Sequence, residues 1–127
     1  MIVDDHKALR VSLRDWLNAE FPQCLIIEAA SGEEAVALTQ TISPNIIIMD
    51  IRLPGIDGIE ATRRITISVP AVKVVILTIH EEEIYRANAM DAGASAYISK
   101  RRMRTELLPK IAALLSAQKK LKKKYAL

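Results

Sequence analysis

Residues 46–58 read "IIIMDIRLPGIDG". Four apolar residues, Ile46 to Met49, lead straight into a carboxylate, Asp50, and then into a loop punctuated by Pro54, Gly55 and Gly58. Aspartate is disfavoured in strands and costly to bury. An apolar run that ends on one reads as a strand that stops where a polar group is needed. A second run, "VKVVILT" over residues 72–78, is rich in β-branched residues and stops at Thr78. Nearly continuous apolar runs imply strands buried on both faces, hence a parallel sheet covered by helices.

Working outward, the periodicity alternates between strand and helix. Met1 to Val3 is a short apolar run stopping at Asp4 and Asp5. From Lys7 to about Phe21, Leu9, Leu13, Trp16 and Leu17 fall at helical spacing and predict one buried face. "CLIIEA", residues 24–29, reads as a strand, and Ser31 with Glu34 three residues later is a capping box opening a helix. A helix from about Gly58 to Ile67 separates the two apolar runs. "HEEEIYRANAMDAG", residues 80–93, reads as a helix with Gly93 as its left-handed cap. Three glutamates open it, and an apolar side of Ile84, Ala87 and Met90 predicts little burial and low local stability. "SAYIS", residues 95–99, is a fifth strand. The last helix starts near Thr105, with Leu107, Ile111, Leu114 and Leu115 along one face and Pro109 in or near its first turn. Five strands alternating with five helices, joined by right-handed crossovers, make an α/β three-layer doubly wound fold. The functional crevice of such a fold lies at the carboxyl ends of its strands.

Composition sets the class. A chain of 127 residues, half hydrophobic and about a quarter charged, is the size and make-up of one globular domain. Its single cysteine, Cys24, excludes an internal disulfide framework, fits a reducing compartment and reads as core filler beside Leu25, Ile26 and Ile27. The first residues carry two aspartates where a secretory leader needs basic residues, and no apolar run approaches the ~20 residues of a membrane span. The expectation is a soluble, cytoplasmic protein with no membrane partner. The net charge of +3 resides in residues 119–124, "KKLKKK"; without its five lysines, 13 basic residues face 15 acidic ones. Such a run is ordinarily a solvated helix end or linker, and no aromatic or arginine interleaving points to nucleic acid.

The strand ends carry the chemistry. They place Asp4 and Asp5, Asp50, Thr78, and Ser99 with Lys100 at one edge of the sheet. Three clustered carboxylates repel one another unless a cation or protons intervene. A hard divalent cation such as Mg²⁺, which takes one or two carboxylates and keeps several waters, relieves this and leaves room for a phosphoryl oxygen. Lys100 and Thr78 supply the point charge and the hydrogen-bond donor such a group needs. Asp50 is then a nucleophile with a rigid strand behind it and an open crevice in front.

"VDD", "MDIRLPGIDG", "LT" and "SAYISK", in that order and spacing, resemble a response-regulator receiver domain over about residues 2–118. His6 after the acidic pair, "LTIH" and "GASAYISK" resemble the NarL/LuxR-type branch, whose receivers precede a helix-turn-helix domain. The resemblance implies a flavodoxin-like (CheY-like) sheet of order 2-1-3-4-5. It implies a receiver domain over residues 1–118, with residues 119–127 a basic tail or the start of a linker. It makes Asp50 the phosphoacceptor, served by a sensor histidine kinase. Mg²⁺ would be held by Asp5, Asp50 and the Arg52 carbonyl, with Asp4 acting through water. Thr78 and Lys100 would grip the acyl phosphate, and Tyr97 would move inward as Thr78 shifts. The chain would assist its own phosphorylation and hydrolysis without otherwise being an enzyme. It would be a possible homodimer on phosphorylation, through the face of residues 81–99 and the last helix or through the first and last helices. DNA would be reached only through an output domain absent from this chain, since nothing after residue 118 forms a helix-turn-helix.

Two features depart from the pattern. Only three residues precede Asp4, where a central strand is usually five or six long, and Ile79 stands after Thr78 where many receivers carry alanine. Three other readings compete. A Mg²⁺-dependent aspartyl-phosphate phosphatase needs a second acid two residues after the nucleophile, and Arg52 occupies that position. A flavodoxin-like cofactor domain needs a phosphate loop after the first strand, where "DDHKAL" stands instead. A pseudo-receiver used for docking would not need the complete acceptor set.

Overall fold

The computed structural model describes residues 1–125. The elements run β1 (Ile2–Val3), α1 (Lys7–Glu20), β2 (Glu28–Ala29), α2 (Gly32–Ile42), β3 (Ile46–Met49), α3 (Gly58–Ser68), β4 (Lys73–Thr78), α4 (Glu83–Asp91), β5 (Ala96–Ser99) and α5 (Met103–Tyr125), with a 3₁₀ turn at Lys100–Arg102. The five strands form one parallel sheet of order β2-β1-β3-β4-β5. Successive strand residues alternate between two cores, as a pleat of period two requires. Val3, Ile47, Met49, Val74, Ile76 and Tyr97 face α2, α3 and α4, which contribute Ala35, Ala61, Ile65 and Ala89. Ile2, Ile48, Val75, Leu77 and Ile98 face α1 and α5, which contribute Leu13, Leu17, Leu107 and Ile111. The three layers expected from the apolar runs are present.

Local chemistry explains the boundaries. Ser31 accepts a hydrogen bond from Glu34 N at 3.1 Å, but the Glu34 carboxylate reaches one residue beyond the standard box, to Ala30 N at 3.0 Å. Gly93 closes the turn after α4 with φ of 102°. α5 starts two residues before Thr105, so Pro109 falls in its second turn, where the missing N–H leaves no bond to the Thr105 carbonyl. The helix passes residue 118 without a break. Lys119 and Lys120 are exposed; the side chains of Lys122, Lys123 and Lys124, and all of residues 126–127, lie outside the described residues. Among the described residues no helix is long and apolar enough to cross a membrane.

Two expectations are corrected. Of the strand expected over residues 24–29 only Glu28–Ala29 pairs, because β1 offers only Ile2 and Val3 as partners. Below them Cys24 is half-buried and Leu25 is 89% exposed, and an apolar cavity of about 350 Å³ opens between residues 23–27 and 42–46. The buried side of α4 is not Ile84, Ala87 and Met90. Ala89 with Tyr85 before it and Ala92 after it face inward, whereas Ile84 and Met90 are 63% and 44% exposed. Stacking of Tyr85 on His80, with ring centroids 4.6 Å apart, accompanies that helical phase. Tyr97, by contrast, is buried in the core at 7% exposed.

Candidate functional site

Asp50 follows the last residue of β3, where its N–H donates to the Val3 carbonyl at 3.0 Å and holds it level with the end of β1. Its residue is 8% exposed. One carboxylate oxygen accepts from Ile51 N at 2.7 Å and the other from Lys100 Nζ at 2.9 Å. Lys100 begins the 3₁₀ turn after β5 and reaches across to Asp4 as well, at 3.3 Å. Asp4 is buried, and its second oxygen accepts from His6 N at 2.8 Å. Strand ends separated by up to 96 residues thus meet in one cluster of two carboxylates and one ammonium.

The electrostatics are those of a crevice short of positive charge. Burial pushes the Asp50 carboxyl above the usual carboxylate range; Lys100 opposes this and the neighbouring Asp4 reinforces it. Burial alone would lower Lys100, but Asp50 and Asp4 outweigh it and hold the ammonium above its ordinary value. Lys100 therefore remains charged, and one charge is shared between two acids.

Loop chemistry keeps the crevice open. A Cβ at Gly58 would overlap the Asp50 carbonyl, so only glycine lets α3 start this close to the acid. Gly58 N donates to the Ile51 carbonyl at 2.8 Å. Gly55 takes φ of 73°, and the Glu33 carboxylate on α2 accepts from the next amide, Ile56 N, at 2.7 Å.

The remaining sequence-derived residues are placed as follows. Thr78 is fully buried at the end of β4, and its hydroxyl accepts from His80 N at 3.3 Å. The Tyr97 hydroxyl donates to the His80 carbonyl at 2.7 Å, so one residue links Thr78 to Tyr97. Arg52 is exposed at the lip, its Nε donating to His80 Nε2 at 3.1 Å. Asp5 is exposed and does not join Asp4, Asp50 and Lys100. Among the described residues no three His, Cys, Asp or Glu side chains lie close enough together to hold a metal ion by themselves. The donors present still fit a hard cation: the two buried carboxylates, short of positive charge, are oxygen ligands, and the exposed Asp5 and the loop carbonyls are of the same donor type. Sequence reading missed His80 and Arg10. The spacing "DDHKALR" puts Arg10 on the first helix within reach of the acidic turn, but an arginine there reads as solvated.

A buried aspartate, a lysine from the last strand end and a strand-end threonine meet at one edge of a 2-1-3-4-5 parallel sheet, the layout of a signalling receiver domain. Residues 1–112 match the response regulator receiver domain family, and the chain belongs to that family. It is 37% identical over 119 residues to the response regulator UvrY of Escherichia coli strain K12, covering 94% of this chain and 55% of that protein. A LuxR-family two-component response regulator from Aurantimonas sp. SI85-9A1 superposes with a TM-score of 0.85 at 37% identity, over 92% of this chain and 84% of that one. A CheY-like receiver domain from Methanospirillum hungatei JF-1 also reaches 0.85, at 31% identity and 94% of each chain. These relatives place the chain in the NarL/LuxR branch, as the receiver domain of a two-component response regulator. The family is not a classical enzyme family, and its members generally bind Mg²⁺ at an acidic pocket. The chain spans about half the length of the curated relatives it matches.

Proposed function

We propose that Asp50 takes a phosphoryl group from the phosphohistidine of a sensor histidine kinase. A carboxylate oxygen of Asp50 attacks phosphorus, the histidine N–P bond breaks as the O–P bond forms, and the freed imidazole takes up a proton. The observation that carries this reading is Asp50 itself: buried at the end of a rigid strand, raised by burial, and held by one lysine from across the sheet. Asp5, Asp50 and the Arg52 carbonyl would hold Mg²⁺, with Asp4 acting through water. Bound there, the ion supplies charge neutralisation for the incoming phosphoryl oxygens.

Lys100 moves from the Asp50 carboxylate to a phosphoryl oxygen, keeping a partner throughout. The Thr78 hydroxyl turns from His80 N toward the phosphoryl group, and the loss of that bond reaches Tyr97 through the His80 carbonyl. The added charge biases the face formed by α4, β5 and α5. The domain assists its own phosphorylation and hydrolysis and has no separate substrate. It occupies residues 1–118, residues 119–127 are a basic tail or the start of a linker, and transcription is controlled through a DNA-binding output domain outside this chain. The setting is cytoplasmic, where the kinase's transmitter resides, and the phosphorylated form pairs with a second copy.

Incubation with acetyl phosphate and Mg²⁺, read by intact mass, tests this. The parent gains one phosphoryl mass, whereas Asp50→Asn and chelator-treated parent gain none. Equal labelling of Asp50→Asn would remove Asp50 as acceptor, and labelling in chelator would remove the metal.

A further inference from the structure

Arg10 lies in the second turn of α1, its side chain 13% exposed. Its guanidinium bridges two elements: Nε donates to Glu28 on β2 at 2.9 Å, and Nη1 donates to the Asp4 carbonyl at 2.7 Å. The second contact fixes the Asp4–Asp5 peptide, because the Asp4 carbonyl and the Asp5 N and Cα share one rigid plane. On the other side of Asp5, the Asp4 carboxylate accepts from His6 N at 2.8 Å and fixes the next peptide. Asp5 is therefore gripped through its backbone on both sides while its side chain is exposed.

We propose that Arg10 is a positioning residue for Asp5, aiming its carboxylate at the cation site through the Asp4 carbonyl. This rests on the metal role proposed above for Asp5. A charged guanidinium donating at 2.7 Å is a strong bond. Glu28 both orients the fork and neutralises it, which limits repulsion of a cation nearby. Arg14 sharpens the argument, since it pairs with the same Glu28 at 2.6 Å and does not touch Asp4. The ion pair and the carbonyl contact are thus separable by mutation.

The sign of the effect separates positioning from bulk electrostatics. Removing a nearby positive charge would tighten Mg²⁺ binding if charge alone mattered; losing the grip on Asp5 weakens it. Calorimetric titration of Mg²⁺ into the parent, Arg10→Gln, Arg14→Gln, Asp5→Asn and the Arg10→Gln/Asp5→Asn pair decides. Arg10→Gln is expected to weaken binding about tenfold, as loss of an outer contact to a metal ligand does. Arg14→Gln leaves it unchanged. In the Asp5→Asn background, Arg10→Gln has no further effect, because the two act as one unit. Should Arg10→Gln not fold, Arg10→Lys, which keeps the charge but loses the two-armed fork, is expected to weaken binding in the same direction by less, where charge alone would leave it unchanged. Unchanged or tighter binding by Arg10→Gln, or full additivity with Asp5→Asn, would overturn the positioning role while leaving the metal reading intact. If Asp5→Asn itself binds like the parent, or the parent binds no Mg²⁺, the metal reading fails and takes the positioning role with it.

Discussion

Helix α3 buries Ile59, Ala61, Thr62 and Ile65 against the sheet, and Asp57 caps it by accepting from Glu60 N at 2.8 Å. Helix α4, over the same face, buries one of its own residues, Ala89, and its N-cap Glu82 makes no side-chain capping bond. The larger apolar residues of α4, Ile84 and Met90, face solvent. α3 is anchored by core packing, whereas α4 is tied by lighter contacts to the residues that link Thr78 and Tyr97. Tyr85 stacks on His80, and the Arg86 guanidinium sits 5.3 Å from the centre of the Tyr97 ring. A helix with so little buried area is the one a change of charge at Asp50 can move, since segments of low local stability open first.

The strongest way to sharpen this contrast is to empty the α3 core. Ile65→Ala should destabilise the domain by about 3 kcal/mol in urea unfolding, the range for a fully buried isoleucine. Asp57→Ala should cost about 1 kcal/mol through loss of the cap, and Glu82→Ala, the matching change on α4, should cost almost nothing.

A smaller, pH-dependent effect belongs to Asp50→Asn. Burial raises the folded-state carboxyl above its ordinary value of 3.8, so the folded chain binds the proton more tightly than the unfolded one. Stability is therefore lost as pH rises through that window, and at neutral pH the ionised group imposes its full cost. Without metal, Asp50→Asn should raise Tm at pH 7, and the gain should shrink as the pH falls below the folded value. A drop in Tm at pH 7 would mean that Lys100 outweighs burial.

The smallest effect is Ile84→Ala, expected within about 0.5 kcal/mol of the parent. A loss comparable to that of Ile65→Ala would erase the difference between the two helices.

Much of this was legible because large apolar side chains mark strands unambiguously. "IIIM" and "VVIL" announce a sheet covered on both faces, and the polar residues that end them have to meet at one edge. The convergence of Asp4, Asp50 and Lys100 follows from that topology. The phase of α4 was not legible, because Ala89 and the flanking Ala92 carry the burial while Ile84 and Met90 attract attention by hydrophobicity. The shortness of β2 was hidden too, since "CLIIEA" has full strand character but pairing depends on how far β1 extends alongside it. Asp5 was grouped with Asp4 by adjacency, yet neighbouring residues point different ways, and only Asp4 turns into the cluster. Arg10 and His80 work through carbonyl groups, for which side-chain identity gives little signal.

Hydrogen exchange of the parent with and without beryllofluoride and Mg²⁺, read by mass spectrometry, tests the central claim most directly. A phosphoryl mimic on Asp50 should change protection in the residue 79–91 segment and around Tyr97, leave the α3 amides of Ile59 to Ile65 as they were, and do neither in Asp50→Asn. Equal changes in α3 and α4, or the same changes in Asp50→Asn, would contradict a switch that starts at Asp50 and moves the lightly held helix.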